Sequence, residues 1–268
     1  MNVLSTENNF LALPDEFSNY EDSKIAVLSA PLENTVSYGS GTRKGPDEIL
    51  KASQYVEFYD EELKREICFE KGIATLEPLH LEEKSSEEAL DIIYNQTKAL
   101  LNDDKFVVTL GGEHTVSLAP IKAHFEKYDD LTIIQIDAHS DLRDEYEGSK
   151  YSHACVMARV AELTKNIYQI GIRAQEKEEA KFIRENKIKT YYMRDIRRGK
   201  FGKKWFRNVV RNMTDNVYIT FDVDGFDPSV IPATGTPEPG GLFWDEALDF
   251  IKEIAKHKKI VGFDVVEL

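Results

Sequence analysis

Cysteine is scarce: Cys68 and Cys155 are the only two in 268 residues. Two thiols are too few for a disulfide framework or a thiolate metal cage, so both read as free, buried or half-buried groups. Positive charge is also short, with 34 Lys plus Arg against 48 Asp plus Glu and a net charge of −14. So acidic a surface argues against nucleic acid and anionic membranes as partners, since both are polyanions. It favours neutral or cationic small molecules and metal ions. No apolar run approaches the length of a membrane span. The N-terminus, Met1 to Asn9, has no basic stretch leading into an apolar one. No secretory signal is read there, and a cytoplasmic location is expected. Repeats, low-complexity tracts and Ser/Gly/Pro linkers are missing as well, which leaves residues 1–268 as one expected domain.

What the chain does have is a core. Hydrophobic residues make up 41% and aromatics 10%, enough to set disorder aside. Short β-rich runs alternate with longer amphipathic ones. The strand-like runs are Ile25–Ser29, Phe106–Leu110, Leu131–Ile136, Ile167–Ile172, Val217–Phe221 and Ile260–Val266, with Ile188–Tyr192 a weaker one. Most are continuously apolar, as expected of strands covered on both faces. Helical patterns fall at Pro46–Ser53, Ser85–Leu101, Val116–Lys127, His153–Leu163, Gln175–Glu185, Lys203–Asn212 and Trp244–Lys256. Ser85 and Glu88 have the capping-box spacing, and Pro46 suits a first helical turn. Strand–helix alternation of this kind predicts an α/β fold of three layers, a mostly parallel central sheet between helices.

Polar residues gather just after the strands, where open parallel sheets place their sites. Gly111-Gly112-Glu113-His114 follows the second strand-like run, Asp137-Ala138-His139-Ser140-Asp141 the third, and Asp222-Val223-Asp224-Gly225-Phe226-Asp227-Pro228 the fifth. Asp137, His139 and Asp141 are spaced i, i+2, i+4, which in an extended segment points all three the same way. Asp222 and Asp224 repeat the spacing. Carboxylates crowded onto adjoining strand ends repel, and a cation makes the arrangement sensible. A lone Asp at a strand end is most often a cap or turn residue. Four carboxylates and two imidazoles, His114 and His139, exceed what one transition metal needs and suit two. With no thiolate in the set, hard or borderline metals such as manganese are favoured over structural zinc.

These three segments resemble the signatures of the ureohydrolase family of arginases and agmatinases. The third continues into Pro232-Ala233-Thr234-Gly235-Thr236-Pro237-Glu238-Pro239-Gly240-Gly241, which strengthens the likeness. Thr35-Val36-Ser37-Tyr38 and Gly41-Thr42-Arg43-Lys44-Gly45-Pro46 are similar to the agmatinase-type entry segment. The resemblance spans residues 25 to 268. It implies an arginase-like fold and two Mn2+ per chain. One ion would be held by His114, Asp137, Asp141 and Asp222, the other by His139, Asp137, Asp222 and Asp224, with Asp137 and Asp222 bridging. A hydroxide bridging the two manganese ions would attack the substrate. Asp141 thereby counts among the catalytic residues as well as the ligands.

Further roles follow from the same resemblance. Glu267 matches the family's guanidinium-binding glutamate, although spacing alone would leave it an exposed charge beside the C-terminus. The family continues past this glutamate into a loop and a final helix, so that segment is expected to be missing here. His153 resembles the histidine that passes a proton to the leaving amine, a task suited to imidazole. Glu113 is read as orienting a neighbour or the loop. Arg143 stands where arginases usually carry an asparagine that holds the amino-acid carboxylate. The acidic run Asp144-Glu145-Tyr146-Glu147 would attract a second cation, as agmatine has, or would simply be a solvated loop. His80, His124 and His257 sit in surface-like contexts and receive no role.

The leading reading is therefore hydrolysis of agmatine to putrescine and urea, a step of polyamine biosynthesis, by a homo-oligomer, relatives being commonly trimers or hexamers. Arginine, guanidinobutyrate and extended agmatines remain within the same chemistry. A related zinc deacetylase would carry a tandem histidine pair, and none occurs here. A catalytically impaired binding or scaffold homologue is the non-enzymatic alternative.

Overall fold

A computed structural model describes all residues from 1 to 268. Eight strands form one sheet: β1 Ile25–Ala30, β2 Ile73–Thr75, β3 Phe106–Gly111, β4 Leu131–Ile136, β5 Ile167–Ile170, β6 Lys189–Tyr191, β7 Asn216–Asp222 and β8 Lys259–Val266. Their order is β2-β1-β3-β8-β7-β4-β5-β6, and every neighbouring pair is parallel. The expected sheet is thus wholly rather than mostly parallel. The run starting at Ile188 is the edge strand β6. Only β2 lay outside the expected strands, because three residues carry too little pattern to register.

Helices are α1 Asp15–Ser18, α2 Gly45–Ser53, α3 Ile67–Lys71, α4 Ser86–Asn102, α5 Leu118–Lys127, α6 Val156–Leu163, α7 Lys177–Asn186, α8 Met193–Arg197, α9 Trp205–Arg211 and α10 Trp244–His257. The three short ones, α1, α3 and α8, carry no periodic signal of their own. Ser85 caps α4 with the reciprocal Glu88 bond, and Pro46 lies in the first turn of α2. Helices α4, α5, α6 and α7 bury Ile93, Ile121, Val160 and Ile183 on one face of the sheet. On the other face α2, α9 and α10 bury Leu50, Val209 and Phe250. Covered on both sides, β4 has all six residues buried, which is why it reads as an unbroken apolar run. No helix is long and apolar enough to cross a membrane. Cys68 and Cys155 are free and buried.

His124 departs from expectation. It is fully buried rather than at the surface, its Nδ1 2.7 Å from the carbonyl oxygen of Pro120. Its Nε2 lies where a Cβ on Gly262 would come within 2.4 Å. Burial pushes this imidazole down to about 4. His80 and His257 are exposed, as expected.

Candidate metal centre

The four central strands β3, β8, β7 and β4 are adjacent, and the polar segments all leave from their C-terminal ends. Reaching that point requires close backbone approach after β3. Gly112 donates its N–H to Ala30 O at 3.0 Å, and a Cβ there would stand 2.0 Å from Leu32 O. Only glycine fits that crossing.

His114 is buried under three carboxylates. Its Nδ1 stands 2.9 Å from Asp141 Oδ2, 3.1 Å from Asp137 Oδ2 and 3.4 Å from Asp222 Oδ2. No hydrogen bond satisfies that nitrogen. On the far side Nε2 lies 2.9 Å from Thr220 Oγ1, and that hydroxyl donates to Asp264 Oδ1 at 2.7 Å. Ser117 and Tyr218 donate to the same buried carboxylate. His139 completes a second group, with Nδ1 2.9 Å from Asp224 Oδ2 and 3.7 Å from Asp137 Oδ1. Two sets of side chains could each hold an ion: His114, Asp137 and Asp141, and Asp137, His139 and Asp224. Asp137 belongs to both.

An orphaned buried nitrogen facing three carboxylate oxygens fits a cation at their shared focus. The donor set is nitrogen and oxygen only, with no cysteine in it, which suits hard or borderline divalent ions. Without a cation these groups would hold protons instead. Burial opposes charge on His114, yet Asp137, Asp141 and Asp222 together raise it well above the ordinary histidine value. Burial pushes Asp137 up to about 7, with Asp141 and Asp224 adding to it. Metal and protons therefore compete for the same lone pairs.

The convergence expected from the spacing is present, but its cause differs at Asp141. The chain leaves β4 at Ile136, and Asp141 has a left-handed φ of 52°. Its carbonyl accepts the N–H groups of Met157 and Ala158 at the start of α6, which holds the conformation. Asp222 and Asp224 meet across a short 3-10 turn, where Asp222 Oδ1 accepts the Asp224 N–H at 2.8 Å. Extended alternation accounts for neither.

A cleft opens over these groups. Glu267, His153, Arg143, Tyr146, Ser37 and Thr236 line it together with His114, His139, Asp141 and Asp222. Glu267 faces the cleft: Oε1 accepts the His114 N–H at 2.6 Å, and its own N–H reaches Gly112 O. Loss of solvent around the carboxyl pushes it up to about 8. His153 Nε2 lies 2.8 Å from Ser37 Oγ, and burial lowers this imidazole below its usual value. Arg143 pairs with Glu176 at 3.0 Å and lies over the Tyr146 ring.

The carboxylates of the run after Asp141 do not line the cleft, although Tyr146 within it does. Asp144 is drawn outward to Arg159 at 2.8 Å, and Glu145 and Glu147 are exposed. Glu176 and Glu179, beyond β5, line the cleft instead. Reading strand ends missed them because β5 ends in no charged triplet. Reading motifs also missed the supports. Gln135 Nε2 donates to Asp137 Oδ2 at 2.7 Å, and Gln169 Nε2 to Gln135 Oε1 at 2.7 Å. The signal was there, a glutamine inside each of two apolar strands. Arg173, another omission, donates to the carbonyls of Asp224, Phe226 and Glu238. It ties down the segment that carries Thr236.

The fold is shared with a known class. Residues 23–268 match the Arginase family, and the chain belongs to it. It is similar to an N(1)-aminopropylagmatine ureohydrolase of Synechocystis sp., 38% identical over 99% of this chain and 90% of that one. An agmatinase of Bacillus cereus is 36% identical over 93% of this chain and 85% of its own length. Among solved structures, a putative agmatinase from Clostridium difficile superposes with a TM-score of 0.84 at 37% identity, covering 93% of this chain and 89% of that one. The chain is accordingly a hydrolase of the ureohydrolase kind.

Proposed function

We propose that the chain hydrolyses a linear guanidine with a cationic, carboxylate-free tail, agmatine to putrescine and urea being the principal reading. The carrying observation is the charge of the cleft. Beyond the carboxylates proposed to hold metal, Glu267, Glu176 and Glu179 line it against a single guanidinium, Arg143, which is already paired with Glu176. A substrate cationic at both ends suits that lining, and a carboxylate does not.

In this reading His114, Asp137, Asp141 and Asp222 hold one divalent ion, and His139, Asp137, Asp222 and Asp224 the other, manganese being favoured by the donor set. Bound there, the ions would acidify a water and make hydroxide available near neutral pH. Glu267 receives the guanidinium through a fork of N–H bonds, its orientation held by the His114 amide. His153 gives a proton to the departing amine from the cleft wall.

A second substrate has its own support. Glu176 stands at the cleft mouth with 46% of its side chain exposed, within reach of a longer tail, and the Synechocystis relative is named for aminopropylagmatine. Urea release from agmatine, N1-aminopropylagmatine, arginine and 4-guanidinobutyrate, with manganese present, tests both. Release from none of them would overturn the hydrolytic reading.

A further inference from the structure

Glu113 binds no metal-facing atom, yet it is fully buried beside His114. Its carboxylate meets four donors. Oε2 accepts the backbone N–H groups of Asn34 at 2.5 Å and Thr35 at 2.6 Å. Oε1 accepts the hydroxyls of Thr115 at 2.7 Å and Thr35 at 2.9 Å. A carboxylate offers about four acceptor sites and no hydrogen of its own, so this one is filled.

The consequence passes through Thr35. A hydroxyl has one hydrogen and two lone pairs, and the hydrogen of Thr35 is committed to Glu113. One lone pair accepts the backbone N–H of His153 at 3.1 Å. The other faces His153 Nδ1 at 3.3 Å. Having no hydrogen left to give, Thr35 can meet that ring nitrogen only as an acceptor, so the hydrogen must sit on Nδ1. A neutral imidazole carries one ring hydrogen. Nε2 is then a bare lone pair, and it lies 2.8 Å from Ser37 Oγ. Ser37 has one hydrogen and two acceptors in reach, the bare Nε2 at 2.8 Å and Tyr146 OH at 3.2 Å, and in the Nδ1–H tautomer it turns to the nearer, Nε2; Ser37, Tyr146 and His153 all line the cleft.

We propose that Glu113 and Thr35 are positioning residues that lock His153 as the Nδ1–H tautomer, leaving Nε2, beside Ser37, as the ring nitrogen that exchanges a proton in the cleft. Its kinetic consequence rests on the proton-transfer role proposed for His153; the tautomer itself does not. Which ring nitrogen carries the hydrogen is set by the bond the other one makes, and only a bare Nε2 can take up, on the cleft side, the proton that His153 then gives to the departing amine.

The test is nitrogen-15 NMR of histidine-labelled full chain loaded with Zn2+, a diamagnetic ion, above the pH at which imidazole protonates. His153→Gln identifies the His153 signals. The expected wild-type spectrum has a pyrrole-type Nδ1 and a pyridine-type Nε2. Thr35→Ser should keep it, whereas Thr35→Val should move the ring toward the other tautomer. In manganese-loaded enzyme Thr35→Val should lower kcat about tenfold or more, with KM and metal content unchanged within about twofold and Thr35→Ser restoring the rate. A wild-type ring in the Nε2–H form overturns the proposal without any variant having to fold. So does a Thr35→Val ring indistinguishable from wild type. The spectrum is read without substrate, so a protein that releases no urea would overturn the hydrolytic reading and leave this one to its own result.

Discussion

Glu267 accepts the backbone N–H of His114 at 2.6 Å through its side chain and donates its own N–H to Gly112 O at 2.9 Å, so the end of β8 and the loop after β3 are tied across the floor of the cleft. The side-chain bond gives one carboxylate two tasks that substitution can separate. Glu267→Gln keeps an acceptor oxygen for the amide but removes the charge that a guanidinium would pair with. Its melting temperature should stay near that of the parent while turnover falls by about two orders of magnitude, as for loss of a charge-assisted fork. Glu267→Ala should lose turnover and stability together, since it strands a buried N–H at a cost of about 1–3 kcal/mol. Melting curves and urea release on the two variants make the comparison. A Gln variant as active as the parent would remove Glu267 from substrate binding.

Asp137 is common to both candidate ligand groups, and His139 belongs to one of them. Asp137→Asn should therefore disturb both ions, whereas His139→Ala should weaken one. The measurement is metal content by mass spectrometry after manganese loading and desalting, with two ions per chain expected in the parent. A single ion retained by both variants would contradict a shared carboxylate.

The convergence of Asp137, His139 and Asp141 was legible because three ionisable groups seldom close an apolar strand without a ligand. The backbone that achieves it was not, since the left-handed φ of Asp141 depends on α6 donating two N–H groups from elsewhere in the chain. Seven of the eight strands stood out as apolar runs, being covered on both faces or, like β6, flanked by helical patterns. Glu176 escaped notice for a different reason. It follows a strand whose exit carries no repeated charge, and only the sheet order, with β5 beside β4, brings it to the cleft. Gln135 and Gln169 are side by side on β4 and β5, and only that strand pairing brings the two amides together.

His124 supplies a pH dependence with a definite sign. Buried between Pro120 O and Gly262, it is pushed down to about 4, against an ordinary value near 6.5. The unfolded chain binds this proton first, so stability is full above about pH 6.5 and is lost as pH falls toward 4. Over that window the loss is on the order of 3 kcal/mol, from about 1.4 kcal/mol per unit. His124→Gln, which cannot titrate, should show a shallower fall than the parent in denaturant midpoints measured from pH 7 to pH 4.5. Parallel curves would mean that His124 is not the group responsible.

Substrate choice turns on Arg143 and Glu176. The guanidinium end is common to agmatine, its aminopropyl derivative and arginine, so Glu267 cannot tell them apart. Discrimination must arise at the far end, where arginine has a carboxylate. There the cleft presents Glu176 and Glu179, and the Arg143 that could receive a carboxylate is engaged with Glu176 at 3.0 Å. To bind arginine productively, that pair would have to open and leave Glu176 beside a second anion. Agmatine should therefore exceed arginine in kcat/KM by about two orders of magnitude, or roughly 2.7 kcal/mol. Glu176→Gln should raise KM for agmatine, and raise it further for N1-aminopropylagmatine, whose additional ammonium lies farther out. Arg143→Ala should lower KM for both cations by freeing Glu176 for the incoming ammonium. The measurement is urea release across the four guanidines for the parent and both variants under one manganese condition. If arginine or 4-guanidinobutyrate wins and Arg143→Ala abolishes the advantage, Arg143 is a carboxylate receptor and the substrate carries an acid at its far end.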